Sequence, residues 1–389
     1  MEMTRRERLL ATLRGQPVDR PPVSFYEIGG LAMAPADPDP FNIYSDPSWH
    51  PLLKLAEEHT DLIRMRSPVR AQSHEAWSPE TGGARNARAE FFKTERYLDA
   101  GRQMTRTTLT VGDRVMTSLT RRDPDMDTLW TVEHLLKSNE DVQAYLQLPD
   151  DVFAETIDVA PLLKEEQALG DRGIVMVDTE DPLCATATLF SMEDFTIFAM
   201  TENTLCHHLL EKCARYIQHR TEQVAHRFPG RLWRIYGPEY ATEPYLPPRL
   251  FDEYVVRYTG PMVRAIKNDG GLARVHIHGR IRNVLEAVAS MGADAIDPIE
   301  PPPQGDVDLD FVRAEYGRQL VLFGNLEIAD IENLEPARFE EVVRRALDEG
   351  TRGAGRGFVL MPSACPYGRK IDARTLQNYE TIIRLVEDL

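Results

Sequence analysis

Two histidines separated by one residue form the most informative short pattern in the chain, Val275-His276-Ile277-His278-Gly279. An apolar run ends here, and both side chains can project toward one site if the strand end twists or breaks at Gly279. Neutral imidazoles are good zinc ligands, and two ligands on one segment lower the entropy cost of assembling a metal site. The pattern also fits histidines that cap the next helix or form hydrogen bonds in the fold, so other residues must decide.

A carboxylate and a thiol later in the chain extend this donor set. Glu300 follows the next apolar run in a proline-rich stretch, and Cys365 follows the last apolar run in a loop that also contains prolines. Taken separately, each also fits an ordinary loop residue. Two nitrogens, one oxygen and one sulfur suit a tetrahedral Zn²⁺ better than Mg²⁺ or Ca²⁺. We therefore predict a zinc site formed by His276, His278, Glu300 and Cys365.

Other side chains near predicted strand ends are candidates for catalysis or substrate contact. Glu239 follows a strand and is a candidate catalytic acid or substrate holder. Tyr26 and Tyr240 are candidates for lining an aromatic-substrate pocket, with simple packing as the alternative role. Asn325 also follows a strand and is a third candidate for substrate binding.

These residues need a scaffold that brings several strand ends together. From about residue 150, short apolar runs rich in β-branched residues alternate with helical patterns, which favours parallel βαβ units. The predicted strands are 173–177, 232–236, 272–277, 293–297, 319–323 and 357–361, with two more at 23–26 and near residue 60. The predicted helices are 4–14, 202–227, 248–268, 281–291, 307–316, 336–349 and 373–388.

This order of elements predicts an α/β fold, a (β/α)₈ TIM-type barrel with an N-terminal extension. An open doubly wound sheet is the alternative, but no G-x-G-x-x-G follows an early strand, which weakens that choice. In a barrel, functional side chains lie at the carboxyl ends of strands and in the loops that follow. This rule selects Glu239, His276, His278, Asp297, Glu300, Asn325, Glu327 and Cys365.

Residues 86–135 differ in character from the rest of the chain. The segments 103–110 and 114–120 alternate apolar and polar positions around Val111-Gly112-Asp113, which is typical of a β-hairpin. We expect an antiparallel β-hairpin insertion over 86–135, near the mouth of the barrel. The sequence as a whole predicts a single barrel domain over residues 1–389.

Charge and hydropathy exclude several classes of protein. The formal net charge is −17, which disfavours sequence-independent nucleic-acid binding because that needs clustered cations. No apolar run has the length of a membrane span, and the N-terminal MEMTRRERLL has no signal-peptide core. The four cysteines do not have the pattern of a disulfide scaffold. We therefore predict a cytoplasmic protein without a nucleic-acid or membrane partner.

Several longer motifs resemble the uroporphyrinogen decarboxylase-like superfamily. They are Arg5–Arg8, Asp19–Pro22, His276–Gly279, Gly292–Ile296, Gly305–Asp306, Gly324–Leu326 and Leu376–Tyr379. The resemblance covers nearly the whole chain and is strongest from about residue 270 to 389. It implies a barrel, with either porphyrinogen decarboxylation or zinc- and corrinoid-dependent methyl transfer as its activity.

Local differences separate these two branches. True decarboxylases carry an R-Q-A-G-R-type loop after the first strand, where this chain has Ser-Phe-Tyr-Glu-Ile-Gly-Gly at residues 24–30. They also carry a late G-H motif, where this chain has residues 363–366. The corrinoid-linked methyltransferases carry H-x-C and a distant Cys as zinc ligands, and methionine synthases on a related barrel add a Glu between them. By that resemblance His276, His278, Glu300 and Cys365 match the ligand order, with His278 in place of a cysteine.

The resemblance therefore favours a zinc-dependent methyltransferase. Replacing one thiolate by an imidazole makes the zinc a stronger Lewis acid, which favours polarisation of an ether or alcohol oxygen. We expect transfer of a methyl group from a small methylated compound to the Co(I) of a corrinoid, with methoxylated compounds, aromatic ones included, as the favoured donors. Since no D-x-H-x-x-G motif occurs, cobalamin is expected on a separate corrinoid protein.

Other readings stay open at this point. A porphyrinogen decarboxylase and a methylcorrinoid:thiol methyltransferase are the nearest alternatives. An amidohydrolase-type enzyme and a barrel without catalytic activity are more distant ones. The oligomeric state is also open, with a homodimer as one option.

Overall fold

The structure is a computed structural model that describes residues 2–25, 27–31, 34–67 and 87–389. Its strands, in chain order, are β1 (Leu62–Arg66), β2 (Phe92–Asp99), β3 (Arg102–Val111), β4 (Arg114–Arg122), β5 (Leu129–Glu133), β6 (Gly173–Glu180), β7 (Leu232–Tyr236), β8 (Leu272–Ile277), β9 (Ala295–Pro298), β10 (Val321–Leu326) and β11 (Phe358–Pro362). Seven of them form one parallel sheet in the order β1-β6-β7-β8-β9-β10-β11. The other four form an antiparallel sheet in the order β2-β3-β4-β5.

The edge strands of the parallel sheet are joined by the chain around Val23, which takes the eighth position of a TIM-type barrel. Val23 forms a parallel bridge with Leu360 of β11, and its carbonyl accepts the Asp61 N–H at 2.7 Å, next to β1. The strand predicted over 23–26 is therefore reduced to one bridge. Two prolines without N–H donors precede it, and a turn begins at Glu27, whose carbonyl accepts the Leu31 N–H at 2.8 Å.

The helices surround this sheet and largely follow the predicted pattern. In chain order they are α1 (Arg5–Leu13), α2 (Trp49–His59), α3 (Ala87–Phe91), α4 (Asn139–Leu146), α5 (Ala160–Leu169), α6 (Pro182–Ala187), α7 (Met192–Thr201), α8 (Asn203–Arg227), α9 (Pro248–Phe251), α10 (Arg257–Asn268), α11 (Leu285–Ser290), α12 (Leu309–Tyr316), α13 (Ile328–Asn333), α14 (Pro336–Thr351) and α15 (Ala373–Glu387). A π-helical segment, Asp252–Val256, joins α9 to α10. Among the described residues, none of these helices is long and apolar enough to cross a membrane.

The interior of the barrel changes from apolar to polar along the strands. Its apolar layers consist of Leu9, Leu13, Ile63, Met65, Ile174, Met176, Leu232, Ala295, Val321, Phe323, Val359 and Met361. The first two belong to α1, which therefore covers the amino end of the barrel. Side chains alternate along a strand, so Arg234 and Arg274 point inward two residues after Leu232 and Leu272, and both are buried. The inward-facing polar side chains on β7 and β8 therefore begin midway along the strands and continue toward their carboxyl ends.

The antiparallel sheet confirms the predicted β insertion and is larger than one hairpin. The predicted hairpin corresponds to β3 and β4, and β2 and β5 extend it on either side. Leu109 and Met116 pack into the main core. The backbone ahead of β5 is tied to the loop after β11, since Asp127 N–H donates to the Tyr367 carbonyl at 2.9 Å. The description of residues 1–389 as one domain stays a prediction.

Asp61 should be a main contributor to stability because it is buried and joins three segments. Its carboxylate accepts from Arg8 Nη1 at 2.6 Å, from Arg20 Nη1 at 3.2 Å and from the Val23 N–H at 2.9 Å. Removing one partner of a buried ion pair leaves an uncompensated charge, so Asp61→Asn should lower the free energy of unfolding by about 3 kcal/mol in a urea titration.

The control for this prediction is Glu58→Gln, which breaks the exposed Lys54–Glu58 pair at 3.9 Å. An exposed pair contributes little, so this change should stay within about 0.5 kcal/mol. Equal losses for the two variants would contradict the assigned role of Asp61.

Candidate active site

A buried carboxylate fixes the first histidine. His276 on β8 lies opposite Asp297 on β9 in the sheet register. Asp297 Oδ2 is 2.7 Å from His276 Nδ1, and its Oδ1 is 2.9 Å from Arg274 Nε. Burial alone would raise the pKa of Asp297, but Arg274 and His276 outweigh it and hold that pKa at about 2. Burial and the nearby Arg234 lower the pKa of His276 to about 3, so its imidazole is neutral at physiological pH.

The second histidine is paired in the same way. His278 Nδ1 is 2.8 Å from Glu300 Oε1, and Glu300 Oε2 accepts the Gly279 N–H at 2.7 Å. Burial would lower the pKa of His278, but the hydrogen bond and charge of Glu300 raise it above its ordinary value. Burial would raise the pKa of Glu300, but the hydrogen bond and charge of His278 outweigh burial and hold this pKa below its ordinary value. The two imidazole rings are nearly perpendicular, with centroids 4.6 Å apart.

The structure therefore brings His276, His278 and Glu300 together at the ends of neighbouring strands. Each imidazole has its Nδ1 against a carboxylate. Metal-bound histidines commonly have this arrangement, in which the carboxylate fixes the ring and its tautomer. In this structure Glu300 acts as the partner of His278, since both of its oxygens are engaged in hydrogen bonds.

Cys365 has a different partner. Its Sγ lies 3.4 Å from Glu27 Oε2, and the residue is 3% exposed. Burial and the charge of Glu27 raise the pKa of the thiol. Within the described residues, no three His, Cys, Asp or Glu side chains are arranged to hold a metal ion. The prediction of four zinc ligands thus stays a prediction.

The chemistry of the donors still fits a zinc ion. Two imidazoles are fixed by carboxylates, and a thiol is buried after the last strand. Glu327 is not counted among these donors, and its buried Oε1 has no hydrogen-bond partner in the part of the chain that the structure describes. Nitrogen and sulfur donors with a carboxylate nearby are a normal zinc environment.

The remaining candidates differ in their surroundings. Glu239 accepts the Gly237 N–H at 3.1 Å, and burial raises the pKa of its carboxyl, which faces the charge of His278. Tyr240 packs edge-on against Phe195 with ring centroids 6.3 Å apart. Asn325 is half-buried on β10, and Tyr26 lies outside the described residues.

The sequence analysis selected Asp297 and Glu327 because they lie at the carboxyl ends of strands, but it assigned them no role. Glu327 is 6% exposed, and its Oε2 accepts from Ser363 Oγ at 3.4 Å. Burial and the nearby Glu300 raise its pKa to about 7. Sequence reasoning missed Glu27, although it lies in the loop where decarboxylases carry arginine. It also missed Arg274, whose signal was a charge within an otherwise apolar strand.

The inward arginines at this end of the barrel are neutralised by acids. Arg234 Nη1 lies 2.8 Å from Asp178 Oδ1, and Arg274 is paired with Asp297. Beyond them, Glu239 and Glu327 add further carboxyl groups. A site with this excess of acids is poorly suited to a substrate with several carboxylates, because like charges repel in a buried setting.

Comparison with known proteins assigns the family. Residues 127–370 match the uroporphyrinogen decarboxylase (URO-D) family. The match covers more than half of the 389 residues, so the chain belongs to this family. No curated protein sequence matches the chain.

Two solved structures illustrate the likeness at the level of fold. A methyltransferase from Methanosarcina mazei is similar with a TM-score of 0.59 and 14% identity, over 100% of this chain and 99% of that chain. A D-psicose 3-epimerase in the presence of D-fructose has a TM-score of 0.35 and 9% identity, over 64% of this chain and 85% of that chain. The similarity to the methyltransferase supports the barrel architecture.

The pH dependence of stability should report the neutral state of His276. With chelator present, the folded imidazole has a pKa near 3, whereas the unfolded chain takes up a proton near the ordinary value of about 6.5. Stability should therefore fall as the pH drops below about 6.5. Between pH 7 and pH 5, wild type should lose about 2 kcal/mol more than His276→Gln in urea titrations.

The control is His226→Gln, on the exposed surface of α8. It should keep the slope of the wild type. A wild-type slope equal to that of His276→Gln would show that His276 does not remain neutral in the folded protein.

Proposed function

We propose that this chain is a zinc-dependent methyltransferase that moves a methyl group between a small methylated compound and a corrinoid protein. A methoxylated donor, of the aromatic kind in particular, is the favoured substrate. The observation that carries the proposal is the pair of adjacent imidazoles, each backed by a carboxylate, at the carboxyl end of the barrel strands. The structurally similar protein from Methanosarcina mazei is a methyltransferase, which supports the same reaction class.

In this proposal His276, His278 and Cys365 hold the zinc ion. Glu300 belongs to the same set, either as a ligand or through its hydrogen bond to His278. When bound, the ion supplies Lewis acidity toward the oxygen of a methoxy group. Asp297 keeps the ring of His276 in one orientation because it is itself held by Arg274.

The other candidate residues act on the substrate. Glu239 is the proposed acid or substrate holder, since it is buried beside His278 and its carboxyl pKa is raised. Tyr240, Asn325 and Tyr26 are the proposed walls of the substrate pocket. The corrinoid belongs to a separate protein in this proposal, because the sequence has no motif that anchors cobalamin.

Porphyrinogen decarboxylation is the second candidate, favoured by the name of the family. Its substrate class needs unpaired arginines to bind several carboxylates. The loop at residues 24–30 contains none, and Arg234 and Arg274 are paired with acids. A methylcorrinoid:thiol methyltransferase is a third candidate, and thiols belong among the tested acceptors.

Metal content tests the proposed ligands. Purified wild-type protein should contain about one zinc ion per chain by elemental analysis, and His276→Ala and Cys365→Ala should each lose most of it, because each removes a ligand. Cys206→Ala is the matched control, since Cys206 is a buried free thiol on helix α8 and is not a proposed ligand. Unchanged zinc in either ligand variant removes that residue from the site.

Methyl transfer tests the reaction. With a purified corrinoid protein reduced to Co(I), methoxylated aromatic compounds and methanol should convert the Co(I) spectrum to that of methyl-Co(III). His276→Ala should abolish this conversion. Release of carbon dioxide from a porphyrinogen, with no methylation of cobalt by any donor, would favour the decarboxylase instead.

A further inference from the structure

We infer that Glu327 is the acid that protonates the leaving oxygen of the methoxylated substrate, using its Oε1. This inference rests on the proposed function and adds a second carboxyl group to the site. Three features of Glu327 support this role: the direction of its side chain, the different hydrogen bonding of its two carboxyl oxygens, and the charges around it.

The position of Glu327 directs its side chain toward the barrel axis. On β10, Val321 and Phe323 belong to the barrel interior, whereas Leu322 and Leu326 belong to the outer core between sheet and helices. Because faces alternate along a strand, Glu327 follows the inward set just past the strand end. Its electrostatic partners agree, since Glu300 and His278 both influence its carboxyl group.

The two oxygens of Glu327 are used differently. Oε2 accepts from Ser363 Oγ at 3.4 Å, and Ser363 is fixed in turn because its N–H donates to the Leu326 carbonyl at 2.7 Å. Oε1 is buried and has no hydrogen-bond partner among the described residues. A buried polar atom without a partner is costly, so this oxygen is suited to a hydrogen bond with a bound substrate.

The charges around Glu327 favour its neutral form. Burial disfavours a negative charge on Glu327, and the nearby carboxylates of Glu300 and Asp330 disfavour it further. Glu239 differs, because backbone N–H groups donate to its carboxyl group, including the Gly237 N–H to Oε2 at 3.1 Å, and these hydrogen bonds favour its charged form. These contacts suit Glu239 to holding the substrate.

The proposed step is balanced. The bond between the methyl carbon and the substrate oxygen breaks, and its electron pair stays on that oxygen. The carbon–cobalt bond forms with an electron pair of Co(I) on the corrinoid protein, which becomes methyl-Co(III). The proton on Glu327 Oε1 moves to the leaving oxygen, giving a phenol from a methoxylated aromatic compound or water from methanol, and the carboxylate later takes a proton from solvent.

The dependence on leaving group separates an acid from a structural residue. A poor leaving group such as the hydroxide of methanol needs protonation, whereas a nitrophenolate leaves without it. Glu327→Gln should slow cobalt methylation from methanol by about 100-fold or more, and from a nitro-substituted methoxybenzene by less than about fivefold. Glu327→Asp should recover part of the methanol rate, and Glu335→Gln on the surface should match wild type.

Two further readouts accompany these rates. The wild-type rate with methanol should fall with rising pH because the acid loses its proton, and Glu327→Gln should lose that dependence. Zinc content and the folded state by circular dichroism should be unchanged in both Glu327 variants. Loss of zinc would make Glu327 a ligand and would overturn the inference.

The remaining outcomes are distinct from one another. Equal slowing with both leaving groups, while wild type methylates cobalt, overturns the role of Glu327 and leaves the proposed function intact. Failure of wild type to methylate cobalt from any donor overturns the proposed function and this inference together.

Discussion

The site depends on one buried carboxylate, Asp297, which holds Arg274 and His276 at the same time. A charge in the interior of a protein is stable only when it is paired and hydrogen-bonded, and Asp297 is 0% exposed. The pairing of β8 with β9 places its partners within reach, because residues 276 and 297 are opposite each other in the sheet. Loss of Asp297 would remove the anion that pairs with Arg274 and the carboxylate that contacts Nδ1 of His276.

Beyond Asp297, the carboxyl groups outnumber the cations that face them. Asp178, Asp297 and Glu300 are each paired with a basic side chain. Glu239 and Glu327 have raised pKa values because burial outweighs the nearby basic side chains. Although the chain belongs to the URO-D family, its described site is therefore rich in acids and differs from a site in which arginines bind the carboxylates of a substrate. The excess of acids instead suits proton donation and a bound cation, which is the basis of the proposed methyl transfer.

The sequence predicted the scaffold well because a parallel barrel repeats one simple pattern. Apolar runs gave strands β6 to β11 nearly as observed, and the long helices α8, α14 and α15 agree within a few residues. The first strand was overestimated, since Pro21 and Pro22 cannot donate backbone hydrogen bonds. The insertion was predicted as a hairpin because only its central strands alternate clearly.

The candidate site was predicted in part. Spacing and the barrel rule placed the two histidines and Glu300 together, but they could not show that Glu300 would turn both of its oxygens to His278 and Gly279. They also could not pair Cys365 with Glu27, which is far away in the chain. Such pairings depend on which loops meet at the mouth of the barrel, and local patterns do not encode that information.

The most direct test of this account is an anomalous diffraction map at the zinc edge, from crystals of the zinc-loaded protein. The account predicts a single strong peak about 2.1 Å from a ring nitrogen of both His276 and His278, the usual zinc–nitrogen distance. A peak elsewhere on the chain, or no peak near this pair at full zinc loading, would contradict it.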